Sequence, residues 1–417
     1  MLSTNIIGNI NTNRILRSLW EREPISRIDI AKALDLDKST ISKIMSQLIE
    51  RGIVVEKDVG DASPIGGRKP VFLGVNPEYG AVIGMEFQTT FARIIALDMA
   101  GQVIIREEIA INFHDYTLPQ LFEELALRYA QRLRKKGWRV IGASLAVAGI
   151  VNPIKRAVIR SNPLSITSPV HIGTDIQERL GFPVFLENDA KCCCWADLVN
   201  QRGQKVKNFM YILGEIRTLN ILDQVHHGLA VGFAFVIDGK VHYGHNFASG
   251  EFSSVFKRDS FLSQFSLSSD QDILQIESSP ILRKRIFEEL AANAALPFNL
   301  LNLHAIAIAG DMVAYEKELT PIFEKAIRDN WSYPDQTDIQ VSFTPFGPWA
   351  VAHGAAALII EQLFALPKIE DVDGEIRPVG IHLFQMIEEM EAVHGRASIP
   401  GVEAGTVHTG LGQNPGR

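Results

Sequence analysis

The sequence predicts a winged helix-turn-helix domain at the N-terminus, followed by a two-lobe α/β domain. Apolar residues recur at helical spacing through residues 24–52 with one break at residues 36–37, which is typical of two helices joined by a tight turn. Two short strands are predicted directly afterwards, over residues 53–57 and 71–73. From residue 81 onwards, apolar strand-like runs alternate with amphipathic helical stretches in two cycles, which indicates α/β architecture.

Two helices are expected to support the second helix of the pair. Residues 11–22 form one of them, and its apolar side is expected to pack beneath the helix-turn-helix. The other is the first helix of the pair, in which Ile28, Ala31 and Leu34 repeat at helical spacing.

The second helix of the pair separates an apolar stripe from a polar face. The apolar positions are Ile41, Ile44, Met45 and Leu48. The opposite face carries short hydrogen-bonding side chains and one cation, at Ser39, Thr40, Ser42, Lys43, Ser46 and Gln47. Such side chains can reach base edges and phosphates from the major groove, so we expect this helix to read DNA. The alternative is an ordinary two-helix packing unit with a solvated polar face.

The two strands after this helix predict a hairpin, which in this position is a wing. The segment Gly66-Gly67-Arg68-Lys69-Pro70 at its base is flexible, basic and extended. Such a segment suits contact with a phosphate backbone or a minor groove, so Arg68 and Lys69 are candidate DNA contacts. The alternative for these two cations is a solvated turn.

Composition places the chain among folded, multi-domain proteins. It has 417 residues, of which 46% are hydrophobic, and this is enough for two or three cores. The net charge of −7 argues against an indiscriminate nucleic-acid coat. Residues 1–75 hold 11 basic and 9 acidic side chains, so a DNA-binding face must come from the local placement of cations.

The cysteines and the N-terminus indicate a compartment. All three cysteines are consecutive, at positions 192–194, a spacing that suits neither a tetrahedral metal site nor a disulfide between distant segments. We expect small, partly buried thiols in a reducing environment. No signal-peptide pattern and no apolar run of membrane-spanning length is present, so a cytoplasmic protein without a membrane partner is expected.

The α/β part is predicted in two cycles. The first holds strands over 81–87, 92–97, 103–109 and 140–147, with a helix over 118–136. The second holds helices over 170–180, 190–201, 312–328 and 350–366, with strands over 184–186, 209–213, 229–237, 305–309 and 339–343. The end of the chain is Gly-rich and weakly patterned, which predicts a mobile tail. The expected domains are therefore residues 1–74, 75–391 and 392–417.

Several motifs of the α/β part resemble those of the ROK family of sugar kinases and sugar-responsive repressors. Glu187-Asn188-Asp189-Ala190 is similar to the family's E-N-D-A motif. The run from Asp238-Gly239-Lys240 to Ser249-Gly250-Glu251 resembles its D-G-K…G…A-G-E motif. The basic hairpin resembles that of the family's repressor members, xylose repressors among them.

This resemblance implies an actin/hexokinase-like ATPase fold with a sugar between its lobes. The implied sugar residues are Gly149, Asn162, Asn188, Asp189 and Glu251. In family kinases the Asp of E-N-D-A is the catalytic base. Carboxylates and amides can bind sugar hydroxyls in pairs, and an unmatched buried polar group is costly, so such a site discriminates well. The alternative for Asn188-Asp189 is a helix N-cap before Ala190.

The phosphate-binding motifs depart from the family pattern. The first family loop is D-x-G-x-T, and the matching stretch is Glu86-Phe87-Gln88-Thr89-Thr90, in which Gln88 replaces a glycine. The second loop keeps two of its four glycines over residues 228–234, and residues 215–225 before it resemble an insertion. Backbone amides must approach phosphate closely in such loops, so we expect no kinase activity and no catalytic residue.

The family's zinc loop is also missing from the sequence. Ser254 occupies the position of its histidine, which is a sugar ligand as well, and no cysteine follows Cys194. We therefore expect no metal and no cofactor.

These expectations combine into a DNA-binding transcriptional regulator of carbohydrate metabolism, of the repressor type. Its partners would be double-stranded DNA with an inverted-repeat operator, a sugar or sugar derivative as effector, and a second copy in a homodimer or higher homo-oligomer. One alternative is a regulator with no sugar ligand, controlled by a protein partner or by abundance. Another is a sugar kinase with a DNA-binding head.

Overall fold

The structure is a computed structural model. It describes residues 4–59, 70–203, 206–221, 224–258, 263–267, 272, 275–333, 339–366, 368–372, 375–379 and 383–394. The wing cations Arg68 and Lys69 lie outside these residues, as does the predicted tail after residue 394.

The N-terminal part is a winged helix, as predicted. Its elements are α1 (Thr4–Arg22), β1 (Ile25–Ser26), α2 (Arg27–Leu34), α3 (Lys38–Glu50), β2 (Val54–Val59) and β3 (Val71–Val75). The three strands form an antiparallel sheet in the order β1-β3-β2. The hairpin of β2 and β3 directly follows α3, so the wing stands beside the predicted reading helix.

Helix α2 is present as predicted, and not all of its regularly spaced apolar residues are buried. Ile28 is 49% exposed, whereas Ile30 and Ala31 are buried. The helix begins only at Arg27, because the Ser26 hydroxyl accepts a hydrogen bond from the Asp29 amide and caps it. Ile28 therefore lies in the first turn and on the outer side of the helix.

The first lobe contains a five-stranded mixed sheet in the order β11-β7-β4-β5-β6. Its elements are β4 (Ala81–Phe87), β5 (Phe91–Asp98), β6 (Val103–Ala110), α4 (Leu118–Lys135), β7 (Val140–Val147), β8 (Ile150–Asn152), β9 (Ala157–Arg160), β10 (Val170–His171), α5 (Thr174–Leu180), β11 (Val184–Asn188) and α6 (Asp189–Asn200). The helix predicted over 170–180 was wrong at its start, because Val170-His171 pairs with β9 and the extended Gly173 delays the helix.

The second lobe contains another five-stranded sheet, in the order β14-β13-β12-β15-β16. The elements from here to the last described helix are β12 (Phe209–Ile221), β13 (Gln224–Ile237), β14 (Lys240–Val241), α7 (Pro280–Leu300), β15 (Ala305–Gly310), α8 (Glu316–Asp329), β16 (Gln340–Phe343), α9 (Ala350–Phe364), β17 (Lys368–Val372), β18 (Glu375–Val379) and α10 (Leu383–His394). The stretch 215–225, read as an insertion, lengthens β12 and β13 into one hairpin with Ile221 paired to Gln224.

Two helices separate the sheets of the two lobes. Helix α9 packs on β4, β5 and β7, α6 packs on β12 and β13, and the two helices pack on each other. Gly354 of α9 makes this possible, since a Cβ there would lie 1.8 Å from the carbonyl oxygen of Cys192 in α6. The helices are therefore in backbone contact at the centre of the molecule.

The winged helix shares a hydrophobic core with the first lobe. One cluster of buried side chains runs from α1 and α3 through α9 to α10. Phe384 of α10 contacts both Tyr79, after β3, and Phe364 at the end of α9. The domain boundaries at 74/75 and 391/392 stay predictions, and α10 extends past the second of them to His394.

Candidate functional site

A cavity of about 690 Å³ opens between the two lobes. All five predicted sugar residues line it: Gly149, Asn162, Asn188, Asp189 and Glu251. They come from the end of β7, the loop after β9, the junction of β11 and α6, and the loop after β14. The fold therefore gathers residues that are up to 102 positions apart in the chain around one space.

Gly149 allows the two loops of the first lobe to meet. Its φ is +113°, and a Cβ there would lie 2.2 Å from the carbonyl oxygen of Arg160. Any other residue would push away the turn that continues through Ser161 to Asn162. Asn162 itself is exposed on the cavity wall.

Asn188 is engaged by the protein itself. Its Nδ2 donates to the carbonyl oxygen of Gly149 (3.0 Å) and to Asp189 Oδ1 (2.9 Å), and its Oδ1 accepts from the Lys191 amide (3.0 Å). The N-cap interpretation is therefore confirmed for Asn188, which also fixes Gly149. Asp189 accepts from the Ala190 amide at 2.8 Å and is 6% exposed. The first turn of α6 favours its negative charge.

Glu251 lines the same cavity from the loop after β14 of the second lobe. It forms an isolated bridge with Gly232 of β13, and the Phe233 amide donates to the Gly250 carbonyl oxygen at 2.9 Å. Asn162 on the first lobe and the Glu251 carboxylate on the second lobe give a hydroxyl-rich ligand partners on both sides of the cleft. Ligand binding there would favour a closed cleft.

Lys191 and Glu187 hold the loop that carries Glu251, and sequence reasoning gave neither this role. The buried Lys191 amine donates to the carbonyl oxygens of Ser249 (3.0 Å) and Phe247 (3.4 Å). Glu187 Oε2 accepts from the Tyr243 hydroxyl at 2.5 Å, and burial raises the pKa of this carboxyl. The available signal was a lysine directly after E-N-D-A, at a position expected to be inside a helix.

Beside the cleft, Gln88 joins the two lobes. Its Nε2 donates to Glu86 Oε1 (3.0 Å) and to Glu215 Oε2 (3.1 Å), and all three side chains are buried. Gln88 and Glu215 also line a second cavity of about 190 Å³. A family kinase would bring backbone amides to phosphate here, whereas this chain presents the Gln88 side chain and the Glu215 carboxylate, whose charge opposes that of phosphate.

Glu86 is held against ionisation. Burial raises its pKa to about 8, the charge of Glu215 adds to the shift, and Arg93 opposes it. Its Oε2 lies 3.6 Å from Arg93 Nη1. At neutral pH the carboxyl is therefore mainly protonated, and one negative charge of the cluster is removed.

This shift predicts a pH dependence of stability. Because the folded pKa lies above the unfolded value, the stabilisation by Glu86 is complete below about pH 4.5 and is lost as pH rises through 8. We expect the free energy of unfolding to fall by on the order of 2 kcal/mol more between pH 6 and pH 9 in the wild type than in Glu86→Gln. Urea denaturation at several pH values measures this. Glu108→Gln, which removes the other carboxylate on Arg93, is the matched control, and equal slopes in all three proteins would contradict the assignment.

The predicted DNA-reading face points outward on α3. Ser39, Ser42, Lys43, Ser46 and Gln47 are exposed, and Thr40 is half-buried. The four apolar positions on the other side, from Ile41 to Leu48, are buried as predicted. Arg51, at the end of α3, was not among the predicted DNA contacts. Its guanidinium binds Glu388 of α10 at 2.5 Å.

The described part of the chain offers neither a cluster of metal ligands nor a membrane-spanning helix. No three His, Cys, Asp or Glu side chains are placed to hold one metal ion among the residues that the structure describes. Likewise, no helix within the described ranges is both long and apolar enough to cross a membrane.

Comparison with known proteins assigns the two parts. Residues 9–61 match the MarR family and residues 82–253 match the ROK family. The chain carries a MarR-like winged helix and a ROK domain. The xylose repressor of Caldicellulosiruptor bescii is 26% identical over 248 residues, which are 59% of this chain and 58% of that repressor. The match thus spans less than two thirds of the repressor's length.

Solved structures of ROK proteins share the fold. A ROK family transcriptional regulator, described as a homolog of the E. coli MLC protein, has a TM-score of 0.69 at 22% identity, with 92% of this chain and 99% of that chain covered. A Streptomyces griseus ROK family glucokinase in complex with glucose and AMPPNP has a TM-score of 0.50 at 18% identity, with 67% and 99% covered. Both likenesses concern the fold alone.

Proposed function

We propose that this protein is a cytoplasmic DNA-binding transcriptional regulator of the repressor type, controlled by a sugar in the cleft of its ROK domain. One observation carries the proposal: one chain holds an outward polar helix face and a cleft lined by Asn162, Asp189 and Glu251, and the winged helix shares a core with the first lobe. The repressor name of the Caldicellulosiruptor relative supports it. The sugar of that name is not carried over.

The mechanism is linkage between two sites. Asn162 of the first lobe and Glu251 of the second lobe line the same cavity, so a bound sugar would favour closure of the cleft. The winged helix packs on the first lobe, and closure would therefore change its position relative to that of a second copy on an inverted repeat. DNA would weaken sugar binding by the same factor by which sugar weakens DNA binding. The role is that of a non-enzymatic sensor.

A regulator without a sugar effector is the second candidate. Ser254, at the position of the family's sugar-binding histidine, is buried, and its hydroxyl accepts from Asn293 Nδ2 at 3.1 Å. The cleft has therefore lost one expected ligand. This candidate shares the DNA-binding part of the proposal and differs in its effector.

Recovery of genomic DNA fragments by the full chain, with and without a panel of monosaccharides and sugar phosphates, tests the proposal. A defined set of fragments should be retained, and one sugar should release it while raising the melting temperature of the protein. Retention of fragments with no response to any sugar would favour the second candidate. Failure to retain specific fragments would overturn the regulator assignment itself.

Base-reading and phosphate-binding residues should separate by mutation. We expect Ser42→Ala or Gln47→Ala to lower the affinity for the retained fragment by roughly 5- to 100-fold, with little change in the affinity for random DNA. Arg68→Ala or Lys69→Ala should weaken both DNAs and lower the slope of affinity against salt. Fluorescence anisotropy at several salt concentrations measures this. Lys135→Ala, an exposed cation at the end of α4, is the control, and equal losses on specific and random DNA would refute α3 as the reading helix.

A further inference from the structure

Trp20 of the winged helix touches the ends of both helices that separate the lobes. Its ring stacks on that of Phe364, the last residue of α9, with centroids 4.6 Å apart and planes 9° apart. The guanidinium carbon of Arg202 lies 4.0 Å from the centre of the same ring. Arg202 follows the end of α6 by two residues. Trp20 and Phe364 are fully buried, and the Arg202 side chain is 24% exposed, so the stacked rings are shielded from solvent and the guanidinium partly so.

Arg202 also binds Glu23, a residue that contacts both strands of the winged-helix hairpin. Its Nη2 donates to Glu23 Oε1 at 2.8 Å. The other oxygen, Glu23 Oε2, accepts from the Val75 amide at 2.8 Å and from Lys57 Nζ at 3.2 Å. Val75 and Lys57 belong to β3 and β2, so one carboxylate joins Arg202 to the hairpin beside the reading helix. The Glu23 side chain is only 8% exposed, which strengthens these bonds.

The end of α9 holds the winged helix through a separate pair. Arg17 of α1 binds Glu361 at 2.5 Å, and the Glu361 side chain is 15% exposed. The contacts of α9 therefore connect α1 to the first lobe, because α9 packs on the sheet of that lobe. The contact of Arg202 ties it to α6, which packs on the sheet of the second lobe.

The other end of α6 begins at the sugar cleft. Asn188 and Asp189 form its cap and first residue, and the helix has 12 residues, or a length of about 18 Å. Nearly every residue of α6 is buried, so the helix is held as one rigid body. A shift of α6 along α9, caused by lobe closure at its first turn, would reach Arg202 at its end.

From these contacts we propose that Arg202 is a positioning residue, which transmits movement of α6 to the winged helix through Trp20 and Glu23. This rests on the proposed function and specifies its regulation. Arg202 contacts neither the cleft nor α3, so its effect is on the coupling between sugar and DNA. The winged helix spans the seam between α6 and α9, and it therefore responds to their relative position.

A double-mutant cycle tests this without any sugar. Affinity for the retained DNA fragment is measured for the wild type, Asn188→Ala, Arg202→Ala and the double variant. The two positions lie at opposite ends of α6, and changes that far apart normally multiply to within about twofold. We expect a departure of at least about fivefold. Effects that multiply would overturn the proposal.

A second arm uses D-xylose, D-glucose and N-acetyl-D-glucosamine as probes on the full chain. For a probe that binds, we expect a wild-type change in DNA affinity of about tenfold or more and a change below about threefold in Arg202→Ala, with equal sugar affinity in both. Arg202→Lys keeps a positive charge beside Glu23 but loses the planar guanidinium over the Trp20 ring. Its sugar-induced change in DNA affinity should therefore lie between those of the wild type and Arg202→Ala. An unchanged sugar response in Arg202→Ala would overturn the proposal.

The control is Arg179→Ala, which removes an arginine with two carboxylate partners, Glu123 and Asp175, far from the seam. It should leave the cycle and the sugar response unchanged. Melting curves establish that each variant is folded, and Arg202→Lys replaces Arg202→Ala in the cycle if the latter is not. Absence of DNA binding by the wild type would count against the proposed function, whereas multiplying effects count only against Arg202.

Discussion

No sugar phosphorylation is expected when the full chain is incubated with ATP, Mg²⁺ and a panel of aldoses. Phosphoryl transfer depends on positioning and neutralising the phosphates, since the protein does little covalent chemistry. Here the Gln88 side chain lies between Glu86 and Glu215 at the place of the first phosphate loop. Loss of one donor of this kind costs on the order of 100- to 1000-fold, so loss of two loops should lower turnover by roughly 10⁴-fold or more.

A coupled ATP assay measures turnover, and calorimetry measures nucleotide binding. Glu215→Gln is the matched variant, because it removes one charge at constant shape, and it should raise nucleotide affinity without giving turnover. Asp189 could still accept a proton, but without a held γ-phosphate no transfer follows. Turnover near 1 per second, within the ordinary enzyme range, would contradict this and make the protein a kinase with a DNA-binding head.

Asp189→Ala should remove the response to sugar and leave sugar-free DNA binding intact. A sugar hydroxyl that loses a buried carboxylate partner keeps its desolvation cost, so we expect affinity to fall by roughly 100-fold. Calorimetry with the responsive sugar and anisotropy with the retained DNA fragment measure the two effects. Asp197→Asn, on the same helix and outside the cleft lining, is the matched control and should keep both activities.

The alternative interpretation of Asp189 makes the opposite prediction. If its carboxylate only stabilises the start of α6, then Asp189→Ala should lower the melting temperature and reduce DNA binding in step with it, with no specific change in sugar affinity. Asn188 already fulfils the capping role by accepting from the Lys191 amide. The two outcomes therefore separate a sugar ligand from a structural residue.

Local patterns predicted much of the fold. The apolar stripe of α3, the strand β7 and the helix α4 follow from spacing within 18 residues or fewer, which one element settles by itself. The exposure of Ile28 could not be read from spacing, because the cap at Ser26 sets where α2 begins. Helix α10 was missed because its few buried apolar side chains follow a weakly patterned stretch.

Contacts between distant segments were beyond the sequence. The bond from Gln88 to Glu215 joins residues 127 positions apart, and that from Arg202 to Glu23 joins residues 179 apart. No periodicity records such pairs, since they depend on how the lobes and the winged helix pack. The five residues predicted to bind sugar came from motif resemblance and line one cavity, whereas Lys191, which fixes the Glu251 loop, needed the structure.

The three buried cysteines can report how often the packing of α6 against α9 opens. Cys192, Cys193 and Cys194 are fully buried on α6, where Gly354 of α9 touches the backbone of Cys192. Burial raises the pKa of each thiol, so little thiolate is present for reaction. A small thiol reagent can react only when the packing of the two helices opens, so its labelling rate depends on how often this opening occurs. An effector that holds the cleft closed would lower the rate of thiol labelling. Its binding could then be followed through the cysteines, without a direct measurement on the sugar or the DNA.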